Sequence, residues 1–405
     1  MITISKFEFV KKFVNRTILR IISWTLLSQL IYLATYTYLI SKVGNEAFAY
    51  LGQYISTLTI VSIFVSMRME MQYQYQNDTK KEAIEGKIKR TSRATIVFGA
   101  LIIFVAINSN MDFSALAILS GIVGGGINAW NNLSIQKAIA NKHYNMLNYL
   151  RNGWIVQSSI ISVIYYLMGG QEIMFIILSD IIARFIVVVY VRLKGIKEIE
   201  VTDTIFQNKE NTIDIKTALY SVLTYNLPFI LLPSIVGVEG AGILFFAFRM
   251  AMAPVGLFAT VLNDYLKSIY SHKEGEDIII KYRKDLKKIG LTILPLYLLG
   301  LMAVHVASAY DLVEQKTASV VIILLIPSYL RVLHASFGFI PYFTGQLKGN
   351  YNLFIRAFLY VILGLSCSLL TNDINSAAVI QSITYIIVAI DGILLNDRIV
   401  RRSKC

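Results

Sequence analysis

Apolar stretches about as long as a bilayer core is thick recur along this chain from residue 18 to its end, and no long polar region interrupts them. A helix needs roughly 20 apolar residues to cross the ~30 Å hydrocarbon layer. Taken window by window, these stretches predict twelve helices. Six lie near residues 18–40, 46–67, 94–108, 113–131, 152–168 and 172–191. Six more lie near 217–235, 240–266, 290–308, 317–338, 350–370 and 376–395. Charged residues make up 16% of the chain, against about 25% in soluble domains. The expected fold class is an all-α polytopic membrane protein, with about twelve transmembrane helices in two six-helix bundles around a central cavity. Residues 1–200 form the expected N-terminal bundle and residues 201–405 the C-terminal one.

The basic residues are distributed with the same order. Of 38 lysines and arginines, 32 fall at the termini and in the even-to-odd loops. The opposite loops hold only Lys42 and Lys316, and four arginines lie inside helices. Positive charge stays on the cytoplasmic side of a membrane, so both termini are expected to be cytoplasmic. The formal charge of +13 is then a topology signal, and it does not point to nucleic acid. The basic N-terminal segment runs into a full-length apolar stretch without a small-residue cleavage site, which reads as a first helix and not a signal peptide. Cys367 and Cys405 lie in settings that argue against a disulfide framework.

An internal repeat follows from two turns. Ser41-Lys-Val-Gly-Asn-Glu46 matches Ser234-Ile-Val-Gly-Val-Glu239, which brings Gly44 onto Gly237 at an offset of 193 residues, one six-helix half. An even number of crossings keeps the halves parallel, related by an axis along the membrane normal. At this offset Arg249 aligns with Ser56, so the cavity is expected to be electrostatically lopsided. All six prolines fall in the second half. Proline frees a helical carbonyl and permits bending, and Pro228 and Pro254 are the candidate hinges.

Four arginines stand inside helices, where an unneutralised charge costs roughly 2.5–3.5 kcal/mol on insertion scales and so faces a polar interior. Arg249, in the eighth helix, is the deepest and has no acidic residue one turn away. Arg331 shares a face of the tenth helix with His334. Arg184 follows Asp180 by four residues, a spacing that serves a helical ion pair as readily as a ligand site. Arg356 lies about two turns into its helix, within snorkelling reach of the interface. Polar contacts are expected from Tyr225, Asn226 and Asn128, although hydrogen bonds between helices are the competing role for such residues. The expected cavity set is therefore Arg249, Arg331, Arg184, His334, Asn226, Tyr225 and Asn128. Gly124-Gly125-Gly126 reads as a close-packing device. There is no phosphate loop, no His-Glu-x-x-His and no metal-ligand spacing, so no enzyme, metal or cofactor is called for.

From Tyr225 to Tyr270 the chain carries a proline in the seventh helix, Val-Gly-x-x-Gly-Ala-Gly, an aromatic-Ala-aromatic-Arg run ending at Arg249, and Pro254 five residues on. This stretch resembles the start of the C-terminal half of Wzx-type polysaccharide flippases, of the multidrug/oligosaccharidyl-lipid/polysaccharide exporter superfamily. The resemblance implies a V-shaped pair of bundles working by alternating access in the bacterial plasma (inner) membrane. It implies an undecaprenyl-pyrophosphate-linked oligosaccharide, an O-antigen or capsule repeat unit, as the cargo moved to the outer leaflet. The implied partners are that lipid-linked glycan, membrane lipids, and the polysaccharide polymerase and chain-length machinery. Arg249 falls on the arginine that the similar peptidoglycan-precursor flippases use for the pyrophosphate. A chain of twelve helices, without the extra lipid-groove helices of that branch, favours the surface-polysaccharide branch.

Two rivals carry different expectations. An O-antigen polymerase or ligase needs a sizeable outer loop with arginines, and the outer loops here span a few residues. A drug/cation antiporter of the same superfamily needs unpaired acids inside the membrane.

Overall fold

The structure, a computed structural model, describes residues 16–73, 78–109, 111–140, 143–194, 211–259, 276–310, 313–343 and 347–402, with isolated positions between 259 and 276. The boundary expected at 200 and the two chain ends lie outside the described residues. Twelve long helices succeed one another among those described. They are α1 (Arg16–Val43), α2 (Glu46–Ser66), α3 (Asp78–Asn108), α4 (Phe113–Ala140), α5 (Tyr144–Leu167) and α6 (Phe175–Lys194). The segment Asn211–Pro254 breaks at Gly237 (φ 78°, ψ 164°) into α7 (211–236) and α8 (238–254). Then come α9 (Glu276–Ala309), α10 (Gln315–Ser336), α11 (Leu347–Thr371) and α12 (Ile374–Arg402).

Several helices overrun their apolar windows on the basic side. The third, expected near 94–108, begins at Asp78, and the ninth, expected near 290–308, begins at Glu276. Hydropathy registers only the part in hydrocarbon, while the backbone continues helical into charged turns. Eight spans are long and apolar enough to cross a membrane by length and composition. The sixth helix is not among them, because Asp180, Arg184, Arg192 and Lys194 share its 20 residues. Large apolar side chains cover the outer faces of α3 and α9, with Phe98, Leu101 and Phe104 each at least 60% exposed and Leu291, Leu299 and Met302 likewise. Such surfaces belong in lipid, and the chain is a multi-pass membrane protein.

The glycines of α4 are where the sequence placed a packing device. A methyl group on Gly121 would stand 2.6 Å from Thr57 Cβ, and one on Gly125 2.7 Å from Val61 Cβ. Their bareness lets α4 lie directly against α2. The internal repeat is visible in the backbone, since Gly44 and Gly237 are both left-handed at φ 75° and φ 78°. Equivalent positions also face each other between the halves. A Cβ on Gly52 would meet the Phe245 ring at 2.9 Å, and one on Gly242 would stand 1.8 Å from the Asn45 carbonyl oxygen and 3.3 Å from the Ala49 nitrogen. The pairs 52/245 and 49/242 are separated by the repeat offset, as expected where an approximate two-fold axis runs between α2 and α8.

That junction lies at the side opposite the basic loops. There Phe48 and Phe246 meet edge to face at 5.5 Å, and Asn45 Nδ2 donates to Glu314 Oε2 at 3.4 Å. The main apolar cluster draws residues from both halves at this end, Leu39, Phe48 and Leu51 with Phe245, Val321 and Leu365. Toward the basic loops the clusters of described residues stay within one half: Tyr73, Ile88 and Leu133, or Tyr282, Phe337 and Ile399. Among the described residues the halves are joined most closely on the far side, and toward the basic loops α1 meets the turn at Val255–Ala259.

Candidate functional site

In the N-terminal half the close approach of α2 to α4 delivers Tyr54 and Asn128 to α6. Asp180 accepts from Arg184 Nε and from the Tyr54 hydroxyl, each at 2.7 Å. Arg184 Nη1 donates to Asn128 Oδ1 at 2.9 Å, and its guanidinium lies 3.6 Å above the Trp154 ring. Asn128 in turn donates to Ser62 Oγ at 3.1 Å. Arg184 is only 5% exposed. Expected among the cavity groups, Arg184 and Asn128 are instead committed to neighbours, because the acid one turn earlier and the ring of Trp154 satisfy the cation internally.

Arg249 is different. It stands eleven residues past the start of α8, about 16 Å along the axis at 1.5 Å per residue, near the middle of a bilayer. Its guanidinium lies 5.1 Å from the Phe245 ring, and its Nε is buried with no hydrogen-bond partner. Among the described residues no carboxylate pairs with it. Two tyrosines of α1, Tyr32 and Tyr36, with ring centroids 3.9 Å apart, lie within its electrostatic reach. Tyr32 is also within reach of Asp180 and Arg184, so it stands between the paired arginine of one half and the unpaired one of the other.

Among the described residues Arg331 also has no carboxylate partner, which makes it a second unpaired cation in the C-terminal half. Its guanidinium lies 3.5 Å from the centroid of Tyr225, and its Nη1 approaches Met252 Sδ at 3.9 Å, one turn from Arg249 along α8. Tyr225 stacks on Tyr385 of α12 at 5.5 Å, and Phe248 closes the group at 5.7 Å from Tyr385. His334, one turn from Arg331, lies against Gly392, where an added Cβ would fall 2.2 Å from its Nε2. That contact fixes the ring in a helix–helix seam. Asn226 Nδ2 donates to the Val222 carbonyl of its own helix at 2.9 Å. Arg356 is paired with Asp391 at 3.0 Å, so among the described residues Asp391, like Asp180, is held by an arginine.

The candidate hinges behave unequally. The α7 helix continues through Pro228, whereas Pro254 leads into a π-helical turn at Val255–Ala259 that touches α1 and α10. A proline cannot donate to the carbonyl four residues earlier, and widening to the π form absorbs the mismatch. Expected site residues Arg249, Arg331 and Tyr225 therefore gather around α8. Tyr32, Tyr36 and Tyr385 join them; their one sequence signal is polarity within apolar windows.

No protein-family model matches the chain, and no curated protein matches it by sequence. Its fold does match solved structures along nearly its whole length. A structure named protein A superposes with a TM-score of 0.67 at 12% identity, covering 95% of this chain and 96% of that one. A MATE crystal structure in complex with MaD5 gives a TM-score of 0.61 at 14% identity, covering 96% of each chain. A transporter of the MOP superfamily from Pyrococcus furiosus, described as having a binding pocket of reversed polarity, gives 0.56 at 14% identity over 96% of each. The chain has the fold of the MATE transporters.

Proposed function

We propose that the protein is a flippase that carries an undecaprenyl-pyrophosphate-linked oligosaccharide repeat unit, of an O-antigen or capsule, from the cytoplasmic to the outer leaflet by alternating access. The observation that carries this reading is Arg249, a mid-depth guanidinium with a buried and unpartnered Nε and no carboxylate. A free cation there is costly and is compensated when an anion arrives. Guanidinium matches phosphate oxygens bidentately and keeps its charge when partly dehydrated. At the face opposite the basic loops α2 packs directly on α8, while toward the basic loops a described contact between the halves is that of α1 with the turn at Val255–Ala259. With the basic loops cytoplasmic, a cytoplasmic-leaflet lipid would reach Arg249 from below by parting α1 from that turn. Neutralising Arg249 and Arg331 removes like charge from one wall, which favours closure of the basic ends around the cargo and parting of α2 from α8. The lipid-linked glycan and the surrounding lipids are the implied partners, with the polymerase and chain-length machinery receiving the product.

A drug/cation antiporter shares this fold. Cationic cargo would need a free acid, and among the described residues Asp180 and Asp391 are both paired while Arg249 and Arg331 are not. A polymerase or ligase would need room outside the membrane, and the turns on that face among the described residues are short, such as 44–45 and 372–373.

The test is Arg249→Ala in the native host. Surface glycan should fall on the order of 100-fold or more, since loss of a buried charge-assisted contact costs about 2–5 kcal/mol. Protein in the membrane should stay near the wild-type amount, with lipid-linked repeat units accumulating on the cytoplasmic leaflet. Near-normal surface glycan, or altered tolerance to cationic drugs with glycan unchanged, refutes the flippase reading.

A further inference from the structure

One group of buried polar atoms in the C-terminal half has no role in the folded chain. The Gln381 side chain is 3% exposed, and neither its nitrogen nor its oxygen has a hydrogen-bond partner. One turn on, the Tyr385 hydroxyl is also unpartnered in a residue 3% exposed. Buried side-chain polar atoms are nearly always satisfied, and an exception calls for a ligand or ordered water. The neighbouring side chains have their own partners: Ser382 donates to the Ile323 carbonyl and Thr384 to the Ile380 carbonyl. Gln381 and Tyr385 share the face of α12 that meets α7 and α8, where Tyr385 touches Tyr225 and Phe248. Arg331, without a carboxylate, lies against the same Tyr225.

The unmet valences define what fits. An amide with both ends free needs a partner that donates and accepts, and a phenol can do either. A metal or organic cation is repelled by Arg331. A bare phosphate accepts from the guanidinium but gives nothing to the amide oxygen. Acyl chains leave every one of these atoms unpaired. Hydroxyl groups answer all of them, and residues one turn apart on a helix project side chains about 5–6 Å apart at Cβ, which suits adjacent ring hydroxyls.

We propose that Gln381 and Tyr385, with Arg331 beside them, form a sugar-binding subsite that holds the glycan of the cargo while Arg249 holds its diphosphate. This rests on the flippase reading above and adds to it the place where sugar identity is read. A site kept polar for a ligand is relieved, and not harmed, when its unpaired groups are removed from the empty protein.

The experiment uses the full chain in lipid nanodiscs, titrated by native mass spectrometry with two probes. One is undecaprenyl pyrophosphate without sugar, and the other is the sugar-bearing lipid extracted from host membranes. Gln381→Leu and Tyr385→Phe should each weaken the sugar-bearing lipid about 10-fold, as expected for one lost hydrogen bond with a partner left unpaired. Binding of the bare lipid should be unchanged, and the unfolding temperature of the empty protein should stay level or rise. Arg249→Ala should weaken both probes. If the two lipids weaken equally in the Gln381 and Tyr385 variants, or neither weakens, these atoms serve packing or bound water and the subsite is refuted. If wild-type protein binds neither lipid, the flippase reading fails first and the subsite with it. Should Gln381→Leu not accumulate, Gln381→Asn withdraws the amide by one methylene and must give the same split between probes.

Discussion

Arg184 and Arg249 lie at similar depth, nine residues into α6 and eleven into α8, about 14 and 16 Å along their helices. The first is held by Asp180, Asn128 and Trp154, and the second by an aromatic face alone. The neutral cluster ties α2, α4, α5 and α6 together and leaves no charge for a ligand. Among the described residues the C-terminal half keeps two cations without a carboxylate, Arg249 and Arg331. Depth in the membrane therefore says little about the role of an arginine. What separates cohesion from availability is whether a carboxylate is within reach.

Stability measurements can break this contrast. Arg184→Ala strands Asp180 in a buried site and should cost about 3–5 kcal/mol, the penalty for orphaning one member of a buried pair. Purified protein should show this as a large fall in unfolding temperature and reduced membrane accumulation. The double variant Asp180→Leu, Arg184→Met should recover much of the loss, because no charge remains to be stranded. Arg249→Ala should leave the unfolding temperature near that of the wild type, as it removes a cation with no protein partner. An equal loss for Arg184→Ala and Arg249→Ala would mean that Arg249 is structural too.

The sequence reveals some of these features and hides others, depending on how local each one is. Twelve helices were legible because the apolar content of a span is a local sum, and the Asp180–Arg184 pair because a four-residue spacing makes neighbours on one helix. Tyr54, Asn128 and Trp154 complete that cluster from 126, 56 and 30 residues away, and no pattern within their own helices announces it. The Arg356–Asp391 pair joins α11 to α12 across 35 residues and was equally hidden. Gln381 and Tyr385 were invisible for another reason: only burial distinguishes an unsatisfied amide from an ordinary polar residue. The charged starts of α3 and α9 escaped because hydropathy measures the bilayer and not the helix.

A second test concerns the junction where the halves meet. Gly242→Ala places a methyl group against the Asn45 carbonyl, a backbone atom that cannot swing aside. Overpacking of this kind costs about 1–3 kcal/mol, and here the cost falls on the form closed at the far face. Labelling of a cysteine at position 45 by a membrane-impermeant maleimide should rise in the Gly242→Ala background. Gly52→Ala should do less, because the Phe245 ring it meets is a side chain able to rotate. If labelling is the same in all three proteins, the α2–α8 contact does not gate that face.

The smallest expected effect tests whether the halves are copies in more than outline. Gly44 and Gly237 occupy corresponding turns with φ of 75° and 78°, and nothing lies within 4 Å of where a Cβ would sit on either. Alanine at either site meets no neighbour, so its cost is the backbone strain of a left-handed residue, about 1–2 kcal/mol. Two copies of one turn should lose the same amount. Gly237, whose ψ of 164° falls in a region that is nearly glycine-only, is the site where any inequality would show. Matched shifts in unfolding temperature for Gly44→Ala and Gly237→Ala would mean that the repeat extends to backbone torsions. A clearly larger loss at Gly237 would mean that the turn leading to Arg249 has diverged, and that the unpaired arginine is reached through a backbone the N-terminal half does not share.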